Sequence, residues 1–226
     1  MYVTRLNEHV SPQLIPQPVK TSTVTRLHRV AEGKHLFFEG EEAGNIYRVV
    51  SGVLRLTRLM EDGRRQVIAF GYPGDVVGFP SDGQYHTDCE ALRPTTVVVH
   101  NRAALESSTG DAALHASLLQ AALREISAMQ DHFLMLGRKS ACERVASFLC
   151  VLADRVGTPL GEFTQFDLPM SRSDIADFLG LTTETVCRTF TQLRKRNVIA
   201  LDRIYTVIVL KPKDLFALAE GEASCS

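Results

Sequence analysis

The 226-residue sequence lacks three features that would each define a class of protein. No run approaches the roughly 18 apolar residues that a membrane span needs, and the N-terminal segment contains no apolar signal-peptide core. There is no basic excess, because 25 Lys and Arg stand against 26 Asp and Glu. This balance excludes a chain-wide cationic surface of the histone type. We therefore expect a cytoplasmic protein without a membrane anchor, whose contacts with nucleic acid, if it makes them, are local.

Clustered metal ligands and paired cysteines are also missing. The five cysteines are odd in number, widely spaced and form no CxxC, which fits neither a disulfide framework nor a structural zinc site. We expect reduced thiols, with Cys142 and Cys150 packed inertly in a helix. The histidines form no HxH or HxxxH pair, so we expect no metal or haem cofactor.

The chain divides by pattern into four parts. Residues 1–22 are polar and contain three prolines, which is typical of a flexible arm. From 23 to 110, short β-branched and aromatic runs alternate with turn residues such as Asp62-Gly63 about every ten residues, which predicts an antiparallel β-barrel. Residues 111–137 have helical periodicity, and a C-terminal domain follows over 138–226. The predicted fold class is therefore α+β.

The long helix carries one apolar seam with alternating steps of three and four residues. Its members are Leu119, Ala122, Ile126, Met129, Phe133 and Leu136. Six such positions span roughly 25 Å of helix, more than the flank of a small barrel covers. The seam therefore predicts a homodimer through a parallel partner helix; the alternative is packing on the chain's own barrel.

Residues 172–196 have the pattern of a helix-turn-helix. With Arg172 as the first position, Ala176 stands where the helices approach closely, Gly180 where the turn favours a positive φ, and Val186 in the shared core. Thr182 or Thr183 can cap the second helix. The apolar stretch from residue 197 to 210 predicts a two-stranded wing with its turn near Asp202-Arg203.

The second helix presents side chains suited to reading DNA bases. Glu184, Cys187 and Arg188 share one face near its N-terminus, the end that enters a major groove. Arginine pairs with guanine and glutamate accepts from cytosine, each contact discriminating by about 1 to 3 kcal/mol. The residues expected to contact the DNA backbone are Arg172, Ser173, Thr182, Thr183, Thr191, Arg194 and Lys195. The alternative for Glu184 and Arg188 is an ordinary surface ion pair.

At these residues the sequence resembles the CRP/FNR family of bacterial transcription regulators. The resemblance extends over about residues 25 to 212 and includes the barrel segment Gly33-Lys-His-Leu-Phe-Phe-Glu-Gly40. Glu184-Thr-Val-Cys187-Arg188 matches the Glu-x-x-Ser-Arg of the FNR group, with cysteine for serine. The resemblance implies a cyclic-nucleotide-binding-like barrel (a double-stranded β-helix), a dimerisation helix and a winged helix-turn-helix. It also implies activation of oxygen-limitation genes from a TTGAT-N4-ATCAA-like palindrome.

The sequence departs from the sensing members of that family. Residues 1–88 contain no cysteine, and Val98 stands where the last iron-sulfur ligand of FNR would be, as in the FixK-like branch. The segment from Gly78 to Cys89 offers neither the Gly-Glu pair nor the Arg-Thr/Ser pair of the cyclic-nucleotide members. We therefore expect neither an iron-sulfur cluster nor bound cAMP.

Several interpretations of its regulation stay open. Cys187 next to Arg188 and a helix N-terminus is a candidate redox switch, or simply replaces a serine of similar size. The barrel alternatively binds a small metabolite that gates DNA binding. RNA polymerase is the expected protein partner, with Ser81 to Thr87 as a candidate loop by analogy. A cupin-like metalloenzyme is a remote alternative, because the clustered metal ligands it needs are missing.

Overall fold

A computed structural model describes residues 26–80, 82–103, 111–202 and 205–223. The predicted arm over residues 1–22, Cys225 and the predicted wing turn at Arg203 lie outside the described residues. The structure divides into two compact units, separated within a long helix between Ala128 and Met129.

The N-terminal unit is the antiparallel β structure that the turn spacing predicts. Its strands are β1 (Arg26–Val30), β2 (His35–Phe37), β3 (Asn45–Ser51), β4 (Leu54–Leu59), β5 (Arg65–Gly71), β6 (Val76–Val77), β7 (Asp88–Ala91) and β8 (Thr95–Asn101). They form two four-stranded sheets in the orders β1-β8-β3-β6 and β2-β7-β4-β5, and every pairing is antiparallel. The prediction of an antiparallel barrel within an α+β fold is confirmed.

The core of this unit lies between the two sheets, where residues of both contribute to one apolar cluster. Its aromatic centre consists of Phe37, Tyr47 and Tyr85, with the Phe37 and Tyr85 rings stacked at a centroid distance of 4.0 Å. The Asp62-Gly63 hairpin is also confirmed, since β4 pairs with β5 and Gly63 has a φ of 80°. The Asp62 carboxylate accepts the Arg64 backbone N–H at 3.0 Å and so closes the turn.

Helix α1 (Ala112–Arg138) follows the barrel and ends one residue beyond the predicted Gly137. Asp111 directly precedes the helix, and its carboxylate accepts the Leu114 N–H at 3.0 Å. Within the N-terminal unit its buried face packs Leu118 and Ala121 against Ile46 and Val76 of the first sheet. The residues of the apolar seam are not part of this buried face.

The C-terminal unit contains four further helices and one sheet among the described residues. The elements are α2 (Ala141–Val156), β9 (Thr158–Leu160), β10 (Phe163–Asp167), α3 (Arg172–Leu179), α4 (Thr183–Lys195), β11 (Ile199–Asp202), β12 (Thr206–Val209) and α5 (Pro212–Ala219). The sheet order is β11-β12-β10-β9, so the predicted two-stranded wing is half of a four-stranded sheet. The sequence pattern did not predict the pairing of β10 with β12, because 38 or more residues of chain separate the paired positions. The register runs from Thr164↔Val209 to Asp167↔Thr206.

The prediction that the cysteines are reduced thiols is wrong for Cys142. Cys142 is disulfide-bonded. Sequence spacing could not reveal this pairing, because a disulfide depends on proximity in three dimensions. Cys89, Cys150 and Cys187 are free thiols. Burial raises the pKa of Cys89 above its usual range and that of Cys150 to about 12, so both are unreactive.

Candidate nucleic-acid interface

The turn between α3 and α4 has the geometry that a helix-turn-helix requires. Ser171 caps α3 and forms a reciprocal capping box with Asp174. Gly180 ends α3 in the left-handed region, with φ 61° and ψ 43°, as the pattern predicts. The Ala176 carbonyl accepts hydrogen bonds from the Gly180 and Leu181 N–H groups. This tight turn fixes the direction in which α4 leaves.

The two helices share a close apolar contact. Ala176 and Val186, the predicted close-approach and core positions, are fully or almost fully buried. The Arg172 guanidinium lies over the Phe190 ring, 3.5 Å from its centroid, in a cation–π contact that joins α3 to α4. Burial lowers the pKa of Arg172, and the negative charge of the nearby Cys187 in its thiolate form partly opposes that shift. Arg172 therefore serves the packing of the motif as well as supplying a charge beside Cys187.

The outer face of α4 carries the three predicted base-reading residues. Glu184, Cys187 and Arg188 are all exposed. Thr182, one of the two predicted caps, accepts the Thr185 N–H at 3.2 Å. Within the part of the chain that the structure describes, no ion pair joins Glu184 to Arg188. Both side chains are therefore available to a ligand on this face.

The residues predicted to contact the DNA backbone differ in whether their donor groups are free to form a hydrogen bond to a phosphate. Ser173, Thr183, Arg194 and Lys195 are exposed. Thr191 is exposed too, but its hydroxyl donates to the Cys187 carbonyl at 2.9 Å. Thr191 therefore has to give up an internal hydrogen bond before it can donate to a phosphate oxygen. The cations Arg194 and Lys195 also lie in the last turn of α4, where they complement the helix dipole.

A concavity of about 470 Å³ borders the reading face. It lies between the first turn of α2, the middle of α4 and residues 221–223, and Arg188 and Gln192 line one wall. Because Arg188 lines this concavity, its long side chain has room to change rotamer. Gln192, which sequence analysis did not single out, belongs to the same surface.

Two residues that sequence analysis missed hold the motif in place. Arg144 of α2 donates to the carbonyls of Leu136, Lys139 and Leu179 at 2.7, 2.9 and 3.0 Å. It therefore ties the end of α1 to the end of α3. His132 of α1 stacks on Phe178 of α3 at a ring-centroid distance of 4.4 Å. Burial lowers the pKa of His132 to about 4, so its ring is neutral at physiological pH.

The seam on α1 is largely solvent-exposed in the single chain. Leu119, Ile126, Met129 and Phe133 are 46%, 52%, 37% and 65% exposed, and Ala122 and Leu136 are partly buried. An apolar stripe of this length is unusual on the surface of a monomer. Within the N-terminal unit, the exposed Leu119 and Ile126 therefore do not pack on the barrel.

Two other classes of site are absent from the described ranges. These ranges contain no helix long and apolar enough to cross a membrane. Over the same residues no group of three or more His, Cys, Asp and Glu side chains converges as a metal site would.

Comparison with known proteins identifies both units. Residues 143–218 match the Crp-like helix-turn-helix domain, and residues 27–108 match the cyclic nucleotide-binding domain. The nitrogen fixation regulation protein FixK of Rhizobium meliloti is 36% identical over 211 residues, which is 93% of this chain and 92% of that protein. The chain belongs to the CRP/FNR family of transcription regulators. It is accordingly a DNA-binding, dimerising regulator and not an enzyme.

Within the CRP/FNR family, further FixK proteins are also similar to this chain. The FixK protein of Azorhizobium caulinodans is 44% identical over 173 residues, covering 76% of this chain and 70% of its own length. The solved structure of FixK2 from Bradyrhizobium japonicum superposes with a TM-score of 0.77 at 35% identity, covering 87% of this chain and 98% of the other. The resemblance seen in Glu184, Cys187 and Arg188 is therefore matched over nearly the whole chain.

The cyclic nucleotide-binding match raises the question of whether the barrel suits such a ligand. Residues 78–89, which follow β6 and extend into β7, contain no arginine or lysine that could bind a cyclic phosphate. Tyr85 from this segment packs into the barrel core and donates its hydroxyl to the Asn45 carbonyl at 2.8 Å. A Cβ at Gly78 would contact Tyr47, Phe37 and Tyr85 at 3.2 to 3.3 Å, so this region is filled. The residues present do not fit a cyclic nucleotide.

Proposed function

We propose that this regulator binds a TTGAT-N4-ATCAA-like palindrome as a homodimer and activates genes needed when oxygen is limiting. In the proposal, neither an iron-sulfur cluster nor cAMP is required. The relatives named as FixK are nitrogen fixation regulators, and another relative, from Rhodopseudomonas palustris, is named as the transcriptional activatory protein AadR. Since a bacterial regulator acts where the chromosome is, the proposal places the chain in the cytoplasm.

The observation that carries the proposal is the exposed Glu184, Cys187 and Arg188 face at the capped end of α4. Arg188 can make two hydrogen bonds to guanine, and Glu184 can accept from the cytosine amino group. Both side chains are exposed, so binding DNA breaks no internal ion pair of theirs in the described structure. Ser173, Thr183, Arg194 and Lys195 then position the helix on phosphates without reading sequence.

The test is a specificity profile measured by fluorescence anisotropy at one fixed salt concentration. Affinities of the wild type and Arg188→Ala are compared on the palindrome and on duplexes changed at one half-site position at a time. We expect the variant to lose about 1 to 3 kcal/mol on the palindrome and to become indifferent at one position. Lys213→Ala, an exposed cation of α5, is the matched control and keeps the wild-type profile. An unchanged profile in Arg188→Ala would refute base reading by this residue.

We propose that the α1 seam is the homodimer interface. Leu119, Ile126 and Phe133 form one side of the heptad pattern, and Ala122, Met129 and Leu136 form the other. Ile126→Asp places a charge at the centre of the seam, so we expect monomers in sedimentation equilibrium. Leu134→Asp is the matched control, because Leu134 is 54% exposed on the same helix but off the seam. Equal dissociation by both variants would place the interface elsewhere.

We also propose that Cys187 makes DNA binding sensitive to peroxide. The Cys187 thiolate attacks a peroxide oxygen, the O–O bond breaks, and hydroxide leaves as sulfenic acid forms. The added bulk and, after further oxidation, charge lie on the face that meets DNA. Peroxide titration should therefore weaken DNA binding of the wild type, while Cys187→Ser stays unaffected. Loss of affinity in both proteins would assign the effect to another group.

RNA polymerase is the proposed protein partner during activation. Of the candidate loop from Ser81 to Thr87, Ser81 lies outside the described residues, whereas Asp82, Gln84 and His86 are exposed.

The second candidate function is a regulator gated by a small metabolite, and a cluster of basic side chains in the N-terminal unit supplies a specific reason to test it. DNA binding that appears only with an added metabolite would favour that alternative.

A further inference from the structure

A group of four polar side chains, three of them basic, lies where α1 crosses the first sheet of the N-terminal unit. We call it the Arg48 cluster; its members are Arg48 of β3, His100 of β8, and Ser117 and Arg124 of α1. Arg48 is half-buried and donates from Nη2 to the Ser117 hydroxyl at 2.7 Å. None of these residues belongs to the helix-turn-helix or to the seam.

The strand register explains why the cluster forms. Residues directly opposite each other in an antiparallel pair point to the same face of the sheet, and here Ile46 pairs with His100 and Arg48 with Val98. Ile46 packs under α1 against Leu118 and Ala121, so Arg48 and His100 share the face that the helix covers. On the helix, Ser117 and Arg124 are seven residues apart and therefore lie on one side of it.

The positive charge of the cluster has no acidic partner within the described residues. Arg48 and Arg124 form no ion pair there, and their like charges interact unfavourably. Burial and the charge of Arg124 lower the pKa of Arg48. The buried His100 Nε2 makes no hydrogen bond in the described part of the chain, and burial together with Arg48 lowers its pKa. Two interacting guanidinium charges thus lie on this face without a carboxylate partner among the described residues.

The helix geometry separates this place from the dimer seam. In the heptad pattern that puts Leu119 and Ala122 on the seam, Ser117 and Arg124 fall on the side turned away from a partner helix. An acidic residue of a second copy docked along the seam therefore lies on the wrong side of α1 to neutralise the charges of the cluster. A small molecule can approach, because Arg124 is exposed at the rim of the cluster.

We propose that the Arg48 cluster binds a small oxyanion, namely a phosphate or carboxylate group of a free metabolite. Two guanidinium groups and a hydroxyl are the donors that suit such a group, since arginine binds carboxylate and phosphate through paired hydrogen bonds. The bound anion neutralises the repulsion between Arg48 on the sheet and Arg124 on the helix. It therefore holds the first half of α1 against the barrel. This inference goes beyond the proposed DNA-binding function and does not rest on it.

The test measures binding to the full chain without DNA. Inorganic phosphate and succinate are titrated separately by calorimetry at constant ionic strength, and thermal unfolding is followed with the same additions. We expect saturable binding of at least one of the two probes, with an upward shift of the Tm that sodium chloride at the same ionic strength does not give. The probe that binds distinguishes a phosphate from a carboxylate site.

Two exposed or conservative variants keep the test independent of folding defects. Arg124→Gln and Ser117→Ala should each weaken anion binding, the former by about tenfold or more. Arg138→Gln, at the exposed end of the same helix, is the matched control and should bind like the wild type. Binding that survives Arg124→Gln unchanged, or a Tm shift that chloride reproduces, would overturn the proposal. Because no DNA is present, either result leaves the proposed function standing.

Discussion

Replacing Arg144 by methionine should destabilise the C-terminal unit strongly. The Arg144 side chain makes three short hydrogen bonds, to the carbonyls of Leu136, Lys139 and Leu179, at 2.7 to 3.0 Å. A hydrogen bond from a charged donor contributes at least about 1 kcal/mol, and a buried carbonyl left without a donor adds to the loss. The three bonds together therefore contribute roughly 3 kcal/mol or more.

For a unit of this size, 1 kcal/mol corresponds to about 4 to 8 °C in Tm, so Arg144→Met should lower the Tm by about 12 to 24 °C. Circular dichroism at 222 nm measures this change on the full chain. Arg138→Met is the control, because Arg138 is exposed and should shift the Tm only slightly. A fall of less than about 4 °C in Arg144→Met would refute the view that Arg144 ties the two helix ends together.

Three further predictions follow from single residues. Gly180→Ala should lower stability by about 1 to 2 kcal/mol in urea unfolding, because φ is 61° there; no loss would mean that the turn relaxes. The pKa of His132 is about 4 in the folded protein, below the 6.5 of the unfolded chain. The neutral ring therefore makes its full contribution to the free energy of unfolding above pH 6.5, and this contribution is lost as the pH falls toward 4. The loss is roughly 3 kcal/mol, and His132→Phe should flatten this part of the pH profile; an equal slope in both proteins would assign the proton uptake elsewhere. Arg194→Gln should weaken binding to every duplex alike and reduce the slope of log K against log salt by about 0.9 for each phosphate that the side chain no longer neutralises; a change in sequence preference would contradict a backbone role.

The local parts of the fold were predictable from the sequence. The Asp62-Gly63 hairpin, the Gly180 turn and the Thr182 cap each depend on the conformational preference of one or two residues. The base-reading candidates were found in the same way, because their helical spacing alone puts them on one face.

The long-range parts were not predictable. The joining of β10 to the wing and the disulfide at Cys142 depend on which distant segments meet. Arg144 and His132 gave no signal, because only the tertiary structure buries His132 and places Arg144 against backbone carbonyls. The Arg48 cluster is of the same kind, since its members come from three elements separated in the chain.

The central claim is sequence-specific DNA binding without an added cofactor. It is tested most directly by the affinity of the reduced, effector-free protein for a TTGAT-N4-ATCAA duplex and for a scrambled duplex, at a fixed salt concentration near physiological strength. We expect binding to the palindrome to be at least about a hundredfold tighter, a difference of about 2.7 kcal/mol. Equal affinity for the two duplexes would contradict the claim.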